Sequence, residues 1–192
     1  MKHLDIGCGT NPKNPYDYNE VYGIDIYPDI TKLGPNFKQA NLAVDPIPFD
    51  DNYFDSLSAF DVLEHIPRQS IDHSTGQVHL PFIQLMNEIH RVLKNNGMFY
   101  ALTPAYPGAE AFQDPTHVNF ISEQTCRYFC GPTGYAKRYG FNGEFNKIEM
   151  AWIYSTYGQT AKRNWKISLK NWHKINFKKG KQHLVWQLQA IK

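Results

Sequence analysis

A glycine turn and a carboxylate near the start of the chain have the types and spacing to hold a nucleoside. Gly7-Cys8-Gly9 closes one apolar run, and Asp25 closes the next, eighteen residues after Gly7. Glycines let the backbone approach a ligand where a Cβ would collide. A carboxylate at the second position accepts hydrogen bonds from both ribose hydroxyls. Together these features point to an adenosine-containing ligand. The rest of the loop argues against a dinucleotide. Pro12 stands where Gly-x-Gly-x-x-Gly has its third glycine, the one that serves close helix–strand packing. Without a long helix there, no N-terminus is offered to a pyrophosphate. Asp5, just before the turn, would repel a diphosphate and suits a cation. It can orient the glycine loop or reach a ligand's ammonium group.

A second set of groups falls where a reacting partner belongs, beyond the carboxyl ends of the strands. It comprises Asp61 to His65, the stretch Arg68 to Leu80 with Asp72, His73 and His79, and Pro104 to Val118. In Asp114-Pro115-Thr116-His117, the proline stiffens the turn. His117 can take a proton from a hydroxyl, or it is a structural histidine bonded to Asp114; the sequence leaves both open. Asp61 is the alternative base. His65 is expected to be structural, oriented by neighbouring backbone. These acids and histidines lack fixed ligand spacing, so no metal is expected. Cys8 is expected to be a small packing residue.

These residues need a sheet to carry them. Runs at Lys2–Ile6, Val21–Ile26, Phe37–Leu42, Ser56–Phe60, Met98–Thr103, Lys147–Tyr154 and His183–Ile191 predict seven strands. Phe82, Leu85, Met86, Ile89, Val92 and Leu93 recur at three- and four-residue steps and predict an amphipathic helix. Asn95-Asn96-Gly97 ends it, with Gly97 at the left-handed position. Ser122 is expected to cap a further helix running to about Phe129. Pro12 and Pro15 predict that the first crossover helix is short or missing. The alternation gives an α/β domain with a mostly parallel sheet.

Four blocks then resemble the class I S-adenosylmethionine (SAM)-dependent methyltransferase family. They are Leu4-Asp5-Ile6-Gly7-Cys8-Gly9, Gly23-Ile24-Asp25, Phe54-Asp55 through Asp61-Val62-Leu63-Glu64-His65-Ile66, and Arg91-Val92-Leu93-Lys94-Asn95-Asn96-Gly97. They cover roughly residues 1 to 105. The resemblance implies a Rossmann-like three-layer sandwich with strand order 3-2-1-4-5-7-6 and strand seven antiparallel. It implies SAM as cofactor, with Gly7 and Gly9 beneath its methionine part and Asp25 on the ribose. Asn41 falls where the family often has an aspartate facing the adenine amino group; an amide oxygen can still accept that bond. Leu42 would pack beside the adenine, and Phe60 and Asp61 would lie by the methyl group. Cys8 and Ile26 complete the expected cofactor set. Gly-Cys-Gly-x-Asn-Pro resembles a subgroup with a reduced first helix that modifies small molecules or surface glycans. Family members commonly carry a few dozen residues before the glycine loop; here the lid is expected to come from elsewhere, to come from a partner subunit, or not to exist.

Composition sets the outer bounds. The 192 residues, 42% of them apolar, suit one domain over the whole length. No stretch approaches the ~18 apolar residues of a membrane span, and no signal peptide is evident. Three cysteines, with Cys126 and Cys130 four apart, fit free thiols in the cytoplasm. No acidic residue follows Glu149, whereas Lys162, Arg163, Lys166, Lys170, Lys174, Lys178, Lys179, Lys181 and Lys192 do. That segment is either a solvated basic surface or a contact for an anionic partner. The expected activity is methyl transfer to a small-molecule or glycan acceptor, at oxygen. One alternative is an RNA methyltransferase using the basic segment with Trp165, Trp172 and Phe177. It is disfavoured because no Asn-Pro-Pro-Tyr-type motif follows strand four. The other is a non-catalytic SAM-binding module.

Overall fold

The computed structural model describes all residues except 178, 179 and 181; three of the nine cations of the basic segment therefore lie outside the described residues. In chain order, β1 (Lys2–Ile6), β2 (Glu20–Asp25), β3 (Phe37–Gln39) and β4 (Phe54–Phe60) come first. A small hairpin, β5 (Ser70–Ile71) and β6 (Val78–His79), precedes α1 (Pro81–Val92). Then follow β7 (Leu93–Pro104), α2 (Glu110–Gln113), β8 (Glu144–Ile153), α3 (Trp165–Phe177) and β9 (His183–Ile191). The main sheet runs β3-β2-β1-β4-β7-β9-β8. Strands β1 to β4 and β7 pair in parallel, and β9 lies antiparallel to both β7 and β8. Counting main-sheet strands alone, this is the expected order, with the seventh reversed. No helix among the described residues is long and apolar enough to cross a membrane.

Side chains alternate faces along each strand, and the two faces differ in kind. Leu4 and Ile6, Phe99 and Ala101, and Leu184, Trp186 and Leu188 join one core with α1. The apolar stripe of α1 buries Phe82, Leu85, Met86, Ile89 and Val92 against it. Each such side chain contributes about 1.5–3 kcal/mol. The opposite face carries a smaller cluster of Tyr100, Leu102, Ile153 and Val185. Towards β1 and β4 this second face turns polar, presenting His3, Asp5, Ser56 and Ser58, all buried.

That polar stretch explains why no helix forms between β1 and β2. An amphipathic crossover helix needs an apolar surface to cover, and this one offers hydroxyls, an imidazole and a carboxylate. Asp5 Oδ2 accepts from the Lys13 amide at 2.7 Å, and His3 Nε2 lies 3.0 Å from the Lys13 carbonyl. Both backbone polar groups of one loop residue are thus held by β1 side chains. Tyr16 then packs edge-on against Tyr100, and the Ala161 amide donates to the Pro15 carbonyl.

Several boundaries differ from the sequence expectation. Strand three stops at Gln39, because Asn41 opens a turn: its carbonyl accepts from Val44 and Asp45, and Asp45 accepts from its amide. Helix α1 stops at Val92, and Leu93 already pairs with Phe54. The left-handed residue there is Asn96 (φ 64°), not Gly97. Gly97 is needed for space instead, since a Cβ would come within 2.9 Å of the Lys94 carbonyl oxygen. The predicted helix from Ser122 is a 3₁₀ turn, Thr125–Phe129, with no side-chain cap bond.

Candidate cofactor and acceptor site

The glycine turn sits between the ends of β1 and β2. Gly7 and Gly9 both have positive φ, 66° and 51°. The Gly7 and Cys8 amides both donate to the Ile24 carbonyl, at 2.7 and 3.1 Å. Asp25 is buried and holds the turn: Oδ2 accepts from the Gly9 amide at 2.8 Å and Oδ1 from the Tyr27 amide at 3.1 Å. Each carboxylate oxygen keeps a further lone pair for a ligand hydroxyl. Cys8 is a packing residue, since a Cβ at Gly23 would fall 2.6 Å from its Sγ. Burial pushes the Cys8 thiol up to about 12, so it stays protonated near neutrality.

Of the two expected roles of Asp5, the geometry matches loop orientation. Its oxygens accept from Ser58 Oγ at 2.6 Å and from the Lys13 amide, and it is buried. Ile26 is exposed beyond the turn. Asn41 Oδ1, expected to face the adenine, already accepts from the Ala43 amide at 3.1 Å. Leu42 packs on the main core, and Phe60 lies against Tyr100 at the end of β4.

Sequence reasoning missed His3. Its Nδ1 meets Ser56 Oγ at 2.7 Å and its Nε2 meets Ser58 Oγ at 2.9 Å. The signal was its alternation with Leu4 and Ile6, which puts it on the Asp5 face. Burial lowers His3 to about 4, and burial raises Asp5 to about 7. The stability His3 contributes is present above about pH 6.5 and lost as pH falls through 4. That of Asp5 is present below its ordinary value and lost as pH rises through 7. Between these limits folding moves a proton from His3 to Asp5 with little net uptake. Asp5→Asn removes the compensating group. Its melting temperature should therefore fall relative to the native chain between about pH 6.5 and 4.5. Parallel melting curves across that range would contradict the coupling.

The acceptor-side segments converge as expected. Val118 and Asn119 amides both donate to the Glu64 carbonyl at 2.9 Å, and Asn119 Nδ2 donates to the Leu63 carbonyl at 3.0 Å. Arg68 joins Asn119 and the Phe120 carbonyl. These bonds tie the turn after β4 to the turn carrying His117. Asp61, with φ 54°, donates its amide to the Leu102 carbonyl, and its Oδ1 lies 3.4 Å from His183 Nε2.

Asp114 does not hold His117. Its Oδ1 accepts from the Thr116 amide and hydroxyl, and Thr116 Oγ1 in turn meets His65 Nδ1 at 3.1 Å. The Thr116 proton is committed to Asp114, so His65 Nδ1 must donate. A side chain, not backbone, thus orients His65. His117 Nδ1 lies 3.2 Å from the Ala111 carbonyl, which only accepts, so its Nε2 keeps a lone pair. Glu64, also unforeseen, is buried beside them. Burial, followed by the charges of Asp61 and Asp114 against two hydrogen bonds, pushes it up to about 8. Asp72 is spent in the hairpin tip on Ser74 and Thr75. A separate cavity of about 530 Å³, lined by Arg68, Leu80, Phe82, Ser122, Tyr128 and Tyr139 among others, contains none of the expected cofactor residues.

Residues 4–101 match the methyltransferase domain family. The chain belongs to that family. No curated protein matches the sequence. Among solved structures, it is similar to a SAM-dependent methyltransferase from Archaeoglobus fulgidus (16% identity, 98% of this chain and 85% of that one, TM-score 0.57). A chain from the Haloferax volcanii complex of the Trm112 methyltransferase activator is similar too (14%, 100% and 82%, TM-score 0.58). So is the [4+2]-cyclase SpnF (16%, 99% and 74%, TM-score 0.56). At these identities the likeness is one of fold, and a fold hosts more than one chemistry.

Proposed function

We propose that this methyltransferase-family protein transfers the SAM methyl group to an oxygen of a small-molecule or glycan acceptor. The observation that carries the reading is the convergence of Asp61, Glu64, His65 and His117 beside the cofactor strands' carboxyl ends. Gly7 and Gly9 lie beneath the methionine part, Asp25 takes the ribose, and Asn41 and Leu42 border the adenine. Since Asn41 Oδ1 is engaged by Ala43, the adenine amino group shares that oxygen. Phe60 and Asp61 stand by the methyl group. The uncapped, helix-free loop after Gly-Cys-Gly supports membership of the subgroup with a reduced first helix. Transfer needs alignment of the acceptor with the sulfonium carbon, and a way to remove a hydroxyl proton. Asp61 and His117 are the residues assigned to the acceptor. The test is incubation with methyl-labelled SAM and hydroxyl-bearing acceptors, sugars included, read by mass spectrometry. Label on oxygen supports the reading; label on nitrogen or carbon only, with the same acceptors, would sink the oxygen assignment.

One observation favours an extended anionic partner. Helix α3 docks through Asn171, which bonds Trp152 and Tyr154, while Trp165 and Trp172 are 71% and 55% exposed beside Lys166 and Lys170. By contrast, Arg163 is held by Glu149 and Lys192 by the His90 carbonyl. Among the described residues, exposed lysines of the segment stand on α3, at Lys166 and Lys170, and just before it, at Lys162. Reversing Lys166 and Lys170 to Glu should raise the acceptor's KM several-fold at low salt and leave SAM affinity unchanged. No change in either would leave α3 a solvated surface. A salt-sensitive RNA shift lost in this variant would instead favour the RNA reading.

A further inference from the structure

We propose that Glu64, His65 and His117 form a binding site for a divalent first-row transition-metal ion. One ligand atom from each lies within 4.8 Å of the others. Ligands at about 2.0–2.2 Å from a common ion stand some 3–4 Å apart, so small side-chain rotations close the set. Two imidazoles and one carboxylate suit zinc, cobalt, manganese or iron, and leave coordination positions open.

Two observations, independent of the clustering, support an ion here. Glu64 is 1% exposed, and its Oε1 has no hydrogen-bond partner, while Oε2 accepts from Thr103 Oγ1 at 2.9 Å. Among the described residues no lysine or arginine pairs with it. An unpaired buried oxygen carries an uncompensated desolvation cost, and a cation would remove it. Both imidazoles also have their Nδ1 atoms held by partners. His117 gives its Nδ1 proton to the Ala111 carbonyl, and His65 gives its own to Thr116, backed by Asp114. Each Nε2 lone pair is left for a metal, the arrangement by which outer partners fix ligating histidines.

The catalytic consequence rests on the proposed oxygen transfer. An acceptor hydroxyl bound at an open position becomes more acidic. Its proton leaves to solvent. The oxygen then forms a bond to the methyl carbon as the carbon–sulfur bond breaks. The sulfur takes that electron pair and S-adenosylhomocysteine remains.

The site can be tested without cofactor or acceptor, so its failure is distinct from failure of the oxygen-transfer reading. The full chain is stripped with a chelator, then titrated with Zn²⁺ by calorimetry and with Co²⁺ by visible absorption. The expected result is one ion per chain, with uptake weakened at least tenfold in Glu64→Gln and in His117→Ala. The hairpin variant His73→Ala should bind as the native chain does. SAM titration of every variant confirms its fold, and His117→Ala, on an exposed turn, decides if Glu64→Gln does not fold. No uptake by the native chain, or unchanged uptake by folded His117→Ala, would overturn the site. Equal loss in His73→Ala would do the same.

Discussion

His117→Ala should lower kcat by roughly 10²–10⁴ while SAM affinity stays near that of the native chain. The size follows from where the ring stands. His117 sits on the Asp114–Asn119 turn, which is bonded to the Leu63–His65 turn rather than to the glycine loop. Its Nε2 is free, its Nδ1 is fixed by Ala111, and His65 stands edge-on at 4.9 Å between centroids. Removing the ring deletes an acceptor-side group and leaves the Gly7–Asp25 bonds untouched. A direct base and a metal ligand give the same loss of rate; the ion titration separates them. Turnover within a few-fold of native would remove His117 from the acceptor site. A loss confined to SAM affinity would contradict the layout of the two half-sites.

The second large effect is expected at the glycine turn, where two glycines serve different ends. At Gly7 a Cβ would fall 2.2 Å from Val62 Cγ2, and the backbone is left-handed. Valine is stiff at χ1 and cannot swing clear. Left-handed strain of about 1–2 kcal/mol and overpacking of about 1–3 kcal/mol should together cost Gly7→Ala roughly 2–5 kcal/mol. That corresponds to roughly 4–20 °C in melting temperature. SAM binding should fall with it, because Val62 links the glycine loop to the acceptor turn. At Gly9 a Cβ meets nothing within 4 Å. Gly9→Ala should therefore lose only the strain term in stability, yet lose SAM binding, because the open space is the one proposed for the methionine part. Thermal melts paired with calorimetry check both variants. Equal stability losses at the two positions, or full SAM affinity in Gly9→Ala, would contradict these roles.

Much of this was legible in the sequence, for reasons that can be named. The strands followed from alternating patterns, and their order from the resemblance that the four family blocks carry. Pro12 and Pro15 announced the missing crossover helix. What replaced it was harder to see. A single histidine and aspartate in β1 only acquire meaning once β4 supplies Ser56 and Ser58 from more than fifty residues away. Local turn chemistry was misread at Asn41 and at Asn96. In both cases an asparagine took the conformation or the hydrogen bonds that propensity assigned to a strand or to glycine. The acceptor side was found by position, but its wiring was not. Asp114 was paired with the histidine three residues on, whereas the fold gives it to Thr116 and through it to His65. Glu64 was invisible as a site residue because its burial and its unpaired oxygen are properties of the assembled turn.

The most direct measurement is a crystal structure of the chain with SAM. The account predicts adenosine hydroxyls on Asp25, the methionine part over Gly7 and Gly9, and the sulfonium methyl facing Asp61 and the Nε2 atoms of His65 and His117. A methyl group pointing away from those residues, or a cofactor seated in the cavity lined by Phe82 and Tyr128, would contradict it.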